Sequence, residues 1–403
     1  MSFIAASSFI VCFFLAVVGV WGRREVDLVL MIGVVLRFAS VAYYCLVGDS
    51  DPDGYGYRAI MFADMDLDQL LANFQTGAYF YSWLISIPYR LFGESPEMIR
   101  CINGLLSCAS LFMAYDLARA LHGDEPAKRA AVFLAVFPAL IRFAGPFASR
   151  ECLFVFLCMA ALTSVYKYYL GKGGMHLVPA GICVIFACIV HTSAFMFFVL
   201  ILLIVMNNST ADKGMRLLIG VLGASAVGAG VYLMFRSGIG TEKLYLNNGG
   251  MNLEKLNWIS ESSADGRAAY LQGFTFTNPV LTALFLPVRA AFFLYAPFIW
   301  MVSNALDVFG FVDGVLYLFV TWCAVRNIRS IMAKKSNASR NEKFVLYLCV
   351  MMLCMLAMFA IGTSNYGTAL RHRAKLISMF VLLCGSFLRW PFHLKSQRKE
   401  IGE

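Results

Sequence analysis

Four short stretches of this chain carry nearly all the side chains that could do chemistry. The first, GDSDPDGYGYRAIMFADMD (residues 48–66), presents Asp49, Asp51 and Asp53 directly after an apolar run, followed by Tyr55, Tyr57 and Arg58. A partly desolvated carboxylate beside a cleft can take a proton from a hydroxyl as general base, or help bind a divalent cation. The same residue types also build ordinary solvated turns, and that alternative stays open. The second stretch, PALIRFAGPFASRECLF (138–154), holds Arg142, Arg150 and Glu151 between two apolar segments. Charged groups at membrane depth are costly and usually line a functional cavity, although Arg150 and Glu151 could instead anchor a helix end. The third, CIVHTSAF (188–195), sets His191 alone in an apolar run, either as a hydrogen-bonded core histidine or as a catalytic or ligand-binding one. The fourth, TSNYGTALRHRAKL (363–376), brings Asn365, Arg371, His372 and Arg373 together, with Lys375 two residues on. Guanidinium groups stay charged and bind phosphate oxygens in bidentate fashion, so this run could hold a diphosphate while a bond to it breaks. Each preorganised donor aimed at the departing charge is worth about 3 kcal/mol of barrier. Anchoring among lipid head groups is the simpler alternative.

The elements that must position these groups are membrane helices. The 403 residues are 60% hydrophobic and only 14% charged, and the mean hydropathy is +0.72. Many apolar runs approach the roughly 20 residues that cross a bilayer. The first run has no basic residues before it and is read as a retained helix, not a cleaved signal. A net charge of +9 would suggest nucleic acid in a soluble protein, but these cations flank apolar runs, so no nucleic-acid partner is expected. The twelve cysteines show neither CxxC pairs nor Cys/His ligand spacing, which argues against a zinc site or a disulfide framework.

Positive charge is retained on the inner side in short loops. Residues 326–343 are the clearest inner loop by that rule, joined by loops at Arg23 and Arg24, Lys128 and Arg129, Lys167 and Lys172, Lys213 and Arg216, and by the tail from His393 to Lys399. This predicts an all-α polytopic protein with about 11 transmembrane helices in one integral membrane domain over residues 1–403. The spans fall near 3–20, 26–47, 98–121, 128–146, 150–168, 177–190, 192–207, 217–235, 305–325, 344–362 and 374–390. One tilted helix is the alternative to the pair 177–190 and 192–207. Two large outer segments result. Residues 48–97 carry aromatic-rich juxtamembrane helices, and 236–303 includes the proline-broken run PVLTALFLPVR with Arg289, expected to be re-entrant or interfacial. The glycines of GVLGASAVGAG lie in an apolar run with no preceding strand, so they read as close-packing sites and not a nucleotide loop.

Residues 77–157 resemble the first half of GT-C glycosyltransferases, in which an acidic outer loop leads through juxtamembrane helices to an R-x-x-N-x-L helix and a second outer turn. The stretch 150–205, with Arg150 and IVHTSAFMFFVLILL, is similar to EpsG-like and Wzy-type polysaccharide polymerases of O-antigen and capsule clusters, as is SNYGTALRHR. The resemblance implies that Asp51 or Asp53 stands at the catalytic acidic position and Glu151 near the second one. Arg150 and Arg371 would be lipid diphosphate ligands, with Arg58, Arg142, Arg289, Asn365, His372 and Arg373 as further substrate contacts and His191 as a further catalytic candidate. The chain departs from the mannosyl- and aminoarabinosyl-transferase branches in lacking an obvious Asp in the second turn and a soluble C-terminal domain.

The expected function is therefore polymerisation of undecaprenyl-diphosphate-linked repeat units at the periplasmic face of a bacterial inner membrane. Donor and acceptor are both polyprenyl-diphosphate-linked glycans, membrane lipid surrounds the site, and a chain-length regulator is a further partner. No cofactor and no metal are expected beyond the alternative of a divalent cation at Asp51 and Asp53. Two rivals remain: a transferase adding one sugar or glycan from a polyprenyl-phosphate carrier, and a transporter or flippase of lipid-linked sugars. No repeated halves favour the transporter.

Overall fold

In this computed structural model the described residues are 3–21, 23, 26–49, 54–147, 149–208, 266–273 and 278–388, with scattered positions between 220 and 261. In chain order the helices are α1 (Phe3–Val20), α2 (Asp27–Val47), α3 (Tyr55–Asp64), α4 (Leu67–Ala72), α5 (Gly77–Phe92), α6 (Pro96–His122), α7 (Asp124–Ala135), α8 (Pro138–Arg142), α9 (Arg150–Tyr169), α10 (Leu177–Val190) and α11 (Phe197–Asn208). They continue with α12 (Pro279–Tyr295), α13 (Ala305–Ala333), α14 (Arg340–Ile361), α15 (Tyr366–Arg373) and α16 (Ile377–Leu382). Among the described residues there is no strand, and α2, α6, α9, α13 and α14 are each long and apolar enough to cross a membrane. Shorter apolar helices accompany them. The molecule is an all-α polytopic membrane protein.

Local chemistry sets the helix starts. Ser95 accepts from the Met98 amide with Pro96 in the first turn of α6, while Asn304 with Asp307 and Ser339 with Glu342 close capping boxes on α13 and α14. Because lipid tails are as apolar as leucine, interhelical hydrogen bonds and close packing hold such bundles together. Buried Arg37 illustrates this, donating to Ser107 Oγ and to the carbonyls of Gly33, Leu134 and Ala135, so that α2, α6 and α7 are pinned at one point.

The cations sort the two ends of the bundle. At one end Arg23 pairs with Asp116, Asn341 donates to the Ala120 carbonyl, Tyr169 donates to the Arg340 carbonyl, and Arg129 donates to the Ser386 carbonyl. The ends of α6 and α9 and the start of α14 therefore lie together with the basic loops. Arg100, Arg150 and Arg371 lie at the opposite end, the site end.

Several predicted spans are corrected. The span 128–146 is two helices, because Pro138 lacks an N–H and forces Phe137 to be extended (φ −65°, ψ 119°). The inner loop expected at 326–343 is largely helix: α13 runs on to Ala333, since arginine and alanine are good helix formers whatever the solvent. The pair 177–190 and 192–207 is two segments as expected, of opposite direction, which sets aside the single tilted helix. Arg150 at the site end holds the Val190 carbonyl, and Asn207 reaches back to Tyr347. The span 374–390 is no single helix. A turn at 374–376, α16 and a short 3-10 turn at Gly385–Phe387 carry the chain from the site end to the Leu382 carbonyl, 2.7 Å from His122 Nε2. Every residue from 373 to 385 is buried, which is the circumstance in which irregular backbone is tolerated at membrane depth. The α12 helix ends against α13, where the Tyr295 carbonyl would be 2.4 Å from any β-carbon at Gly314. The predicted span 217–235, most of the outer segment up to 265, and the tail from His393 to Lys399 lie outside the described residues.

Candidate active site

Three separate elements converge at the site end. The first turn of α9 supplies Arg150 and Glu151, the break between α10 and α11 supplies His191, and α15 with the turn after it supplies Arg371, His372 and Lys375. Glu151 is 3% exposed. Its Oε1 accepts from Arg371 Nε at 2.9 Å and lies 3.4 Å from Lys375 Nζ. The lysine contact is an ion pair by distance, without hydrogen-bond alignment, and the Lys375 ammonium is fully buried between the Phe154 and Phe359 rings at 5.8 Å from each centroid. Arg150 adds its field to the same carboxylate. It donates through one terminal nitrogen to the Val190 carbonyl at 3.3 Å, while its buried Nε has no hydrogen-bond partner among the described residues.

Among the described residues one buried carboxylate thus faces three cationic side chains, in a place where charge is expensive. Such an arrangement can take a second anion. Arg371 is 31% exposed at its side chain, so the cluster opens outward on that side. His191 and His372 add two imidazoles with ring centroids 5.4 Å apart and edge-to-face. His191 Nδ1 accepts from the Ser193 amide at 3.3 Å and lies 2.9 Å from its hydroxyl. His372 Nδ1 faces Thr363 Oγ1 at 3.5 Å.

The start of the acidic loop is tied to the same end. Asp49 pairs with Arg100 of α6 and accepts from the Phe147 amide at 2.9 Å through its other oxygen. Tyr81 and Asn103 secure the Phe147 carbonyl from α5 and α6. Gly145 lets this turn lie on α2, since a β-carbon there would stand 2.6 Å from the Ser40 carbonyl. Asp51 and Asp53, the proposed general bases, fall outside the described residues. Among the described residues no group of three or more His, Cys, Asp or Glu could hold a metal ion.

The structure therefore brings together Arg150, Glu151, His191, Arg371 and His372 and separates the other described candidates. Arg373, two residues from Arg371, points into the core with 0% exposure. It donates to Asp313 at 2.5 Å and to the carbonyls of Leu294, Ala296 and Gly310. Arg289, also 0% exposed, donates to the carbonyls of Ala360, Ile361 and Thr363 and so finishes the last turn of α14. Asn365 is the N-cap of α15, accepting from Gly367 and Thr368. Arg58 lies over the Tyr79 ring at 4.0 Å, and Arg142 near Phe309 at 5.4 Å. These five residues hold helices in place by the contacts shown. Conversely, Lys375 belongs to the centre although only its charge drew attention to it. Ser193 and Asp49 gain roles through contacts that residue type alone does not announce.

A scan against family models matches residues 77–232, a little over a third of the chain, to the family described as dolichyl-phosphate-mannose-protein mannosyltransferase. The match covers α5 to α11 and so includes Arg150, Glu151 and His191, and it supports a membrane glycosyltransferase of GT-C type. It falls in the mannosyltransferase branch, which the departures noted in the second turn had set at a distance. No curated protein and no solved structure matches the chain.

Proposed function

We propose that the chain is a GT-C glycosyltransferase that polymerises glycan repeat units carried on undecaprenyl diphosphate, at the membrane face bearing Arg371. The supporting observation is the single buried carboxylate, Glu151, shared by Arg371, Lys375 and Arg150. In the reaction the acceptor hydroxyl oxygen bonds to the anomeric carbon of the donor, the bond from that carbon to the diphosphate oxygen breaks, and the lipid diphosphate leaves with the electron pair. Asp51 or Asp53 takes the hydroxyl proton, and the cations around Glu151 neutralise the departing charge. Because the donor bond is already activated, no nucleotide is consumed. Opening of the site toward the periplasm, in a bacterial inner membrane, completes this reading.

A second reading has its own support. The family match names an enzyme class whose donor is a polyprenyl monophosphate sugar, which favours addition of one sugar per event. Product length separates the two. Purified protein in liposomes with lipid-diphosphate-linked repeat units should give a ladder of longer glycans; one discrete addition, made only from a monophosphate donor, replaces polymerase with single-step transferase. Movement of the lipid across the bilayer with no new glycosidic bond would remove both in favour of a transporter.

A further inference from the structure

His191 sits at the apex between α10 and the 3-10 turn Thr192–Met196, with an extended backbone (φ −160°, ψ 124°) that stops one helix and starts the next. Its Nδ1 caps that turn by accepting from the Ser193 amide. A backbone N–H can only donate, so Nδ1 must present its lone pair, and the proton of a neutral ring resides on Nε2. The Ser193 hydroxyl, 2.9 Å from the same nitrogen, reinforces this choice when it too donates. No hydrogen bond to Nε2 is made among the described residues, and His191 as a residue is not fully buried. Phe154 and Phe359 flank it at 5.7 and 4.8 Å, while His372 meets it edge-to-face. Burial first, then Lys375 and Arg150 beside it, push the imidazole toward its neutral form.

We infer that His191 acts as a neutral hydrogen-bond donor, through Nε2, to a phosphate oxygen of the lipid-linked donor, and that Ser193 is the positioning residue fixing this tautomer. This rests on the glycosyltransferase reading above and deepens it: the ring orients the leaving group and carries no proton between acceptor and donor. The groups facing the ring are Arg150, Lys375 and His372, and an imidazolium here would add a further positive charge to that cluster while losing the cap. The geometry thus separates His191 from an acid–base role that its residue type would otherwise suggest.

The test has two arms on the full-length protein in nanodiscs. Nitrogen-15 spectra of histidine-labelled protein, with His191→Asn used for assignment, should show Nδ1 bare and Nε2 protonated throughout the pH range in which free imidazole titrates. A protonated Nδ1, or an imidazolium in that range, overturns the inference without touching the glycosyltransferase reading. In the second arm, transfer is measured with a lipid-diphosphate-linked glycan. His191→Asn keeps an N-capping oxygen but loses the distal donor; it should raise KM for the lipid donor about tenfold, the scale of one hydrogen bond to a charged group, with the pH profile unmoved. His191→Gln, whose amide reaches toward the Nε2 position, should recover part of that loss. Ser193→Ala keeps the amide cap and should raise KM by a smaller factor. Unchanged KM in His191→Asn, while Arg371→Ala abolishes transfer, defeats the inference alone; full transfer in both variants defeats the underlying reading.

Discussion

Arg371 and Arg373 stand two residues apart on one short helix and have opposite fates. Residues at i and i+2 do not share a helix face, so α15 sends them into two different charged centres. Around Arg373 the charges balance: one guanidinium, one carboxylate of Asp313, and carbonyls from α12, the turn after it and α13 taking the remaining donors. Around Arg371, among the described residues, Glu151 answers three cationic side chains, and the arginine is partly exposed. The Arg373 centre holds helices together, and the Arg371 centre is the one the proposed function uses to meet an anion. A tally of cations per helix end would have treated both alike.

The largest effect should come from breaking the balanced centre. Arg373→Met leaves Asp313 buried without its partner, which should cost about 3–5 kcal/mol and abolish recovery of folded protein, read by thermal unfolding in detergent. If Arg373→Met folds as well as wild type, the structural assignment of that arginine is wrong. Arg371→Ala should do the reverse. Folding is kept because Lys375 and Arg150 still face Glu151, while glycan transfer falls at least 10²-fold through loss of a donor to the departing charge. Asp49→Asn should be intermediate, since it weakens the tie between the acidic loop and α6. A loss of roughly 1.5–3 kcal/mol is expected, the worth of a hydrogen bond to a charged group, together with reduced transfer. The smallest effect belongs to the basic end. Lys334→Ala removes an exposed ion pair with Glu342 and should change stability by under ~1 kcal/mol and transfer not at all.

Much of the fold was legible because apolar runs of bilayer length stand out in a chain so poor in charge: α1, α2, α6, α9 and α14 fall where hydropathy puts them. Hydropathy cannot tell a lipid-facing helix from an apolar stretch of backbone enclosed by protein, which is why it predicts one helix over 374–390. Nor does a run of basic residues reveal where a helix ends, so α13 outlasted its expected loop. Within the site, residue type revealed Arg371 and Glu151, since cations and acids beside apolar segments demand partners. It could not separate Arg371 from Arg373, nor Arg150 from Arg289, because which face of a helix meets which neighbour is decided by packing. Ser193 lies within the stretch IVHTSAF that carries the resemblance, but its role was not legible there; only the turn at His191 makes its amide a hydrogen-bond donor to the ring.

The enclosed crossing from Arg373 to Gly385 has a consequence for how the chain is made. Its backbone turns where a lone membrane segment would have to keep every carbonyl bonded within itself, so it is a poor candidate for release into lipid on its own. It is also the final described crossing to emerge in synthesis. The segment packs against α6, α9, α13 and α14, so the Glu151 cluster, whose Lys375 it carries and whose Arg371 and His372 immediately precede it, is complete only once the segment is in place.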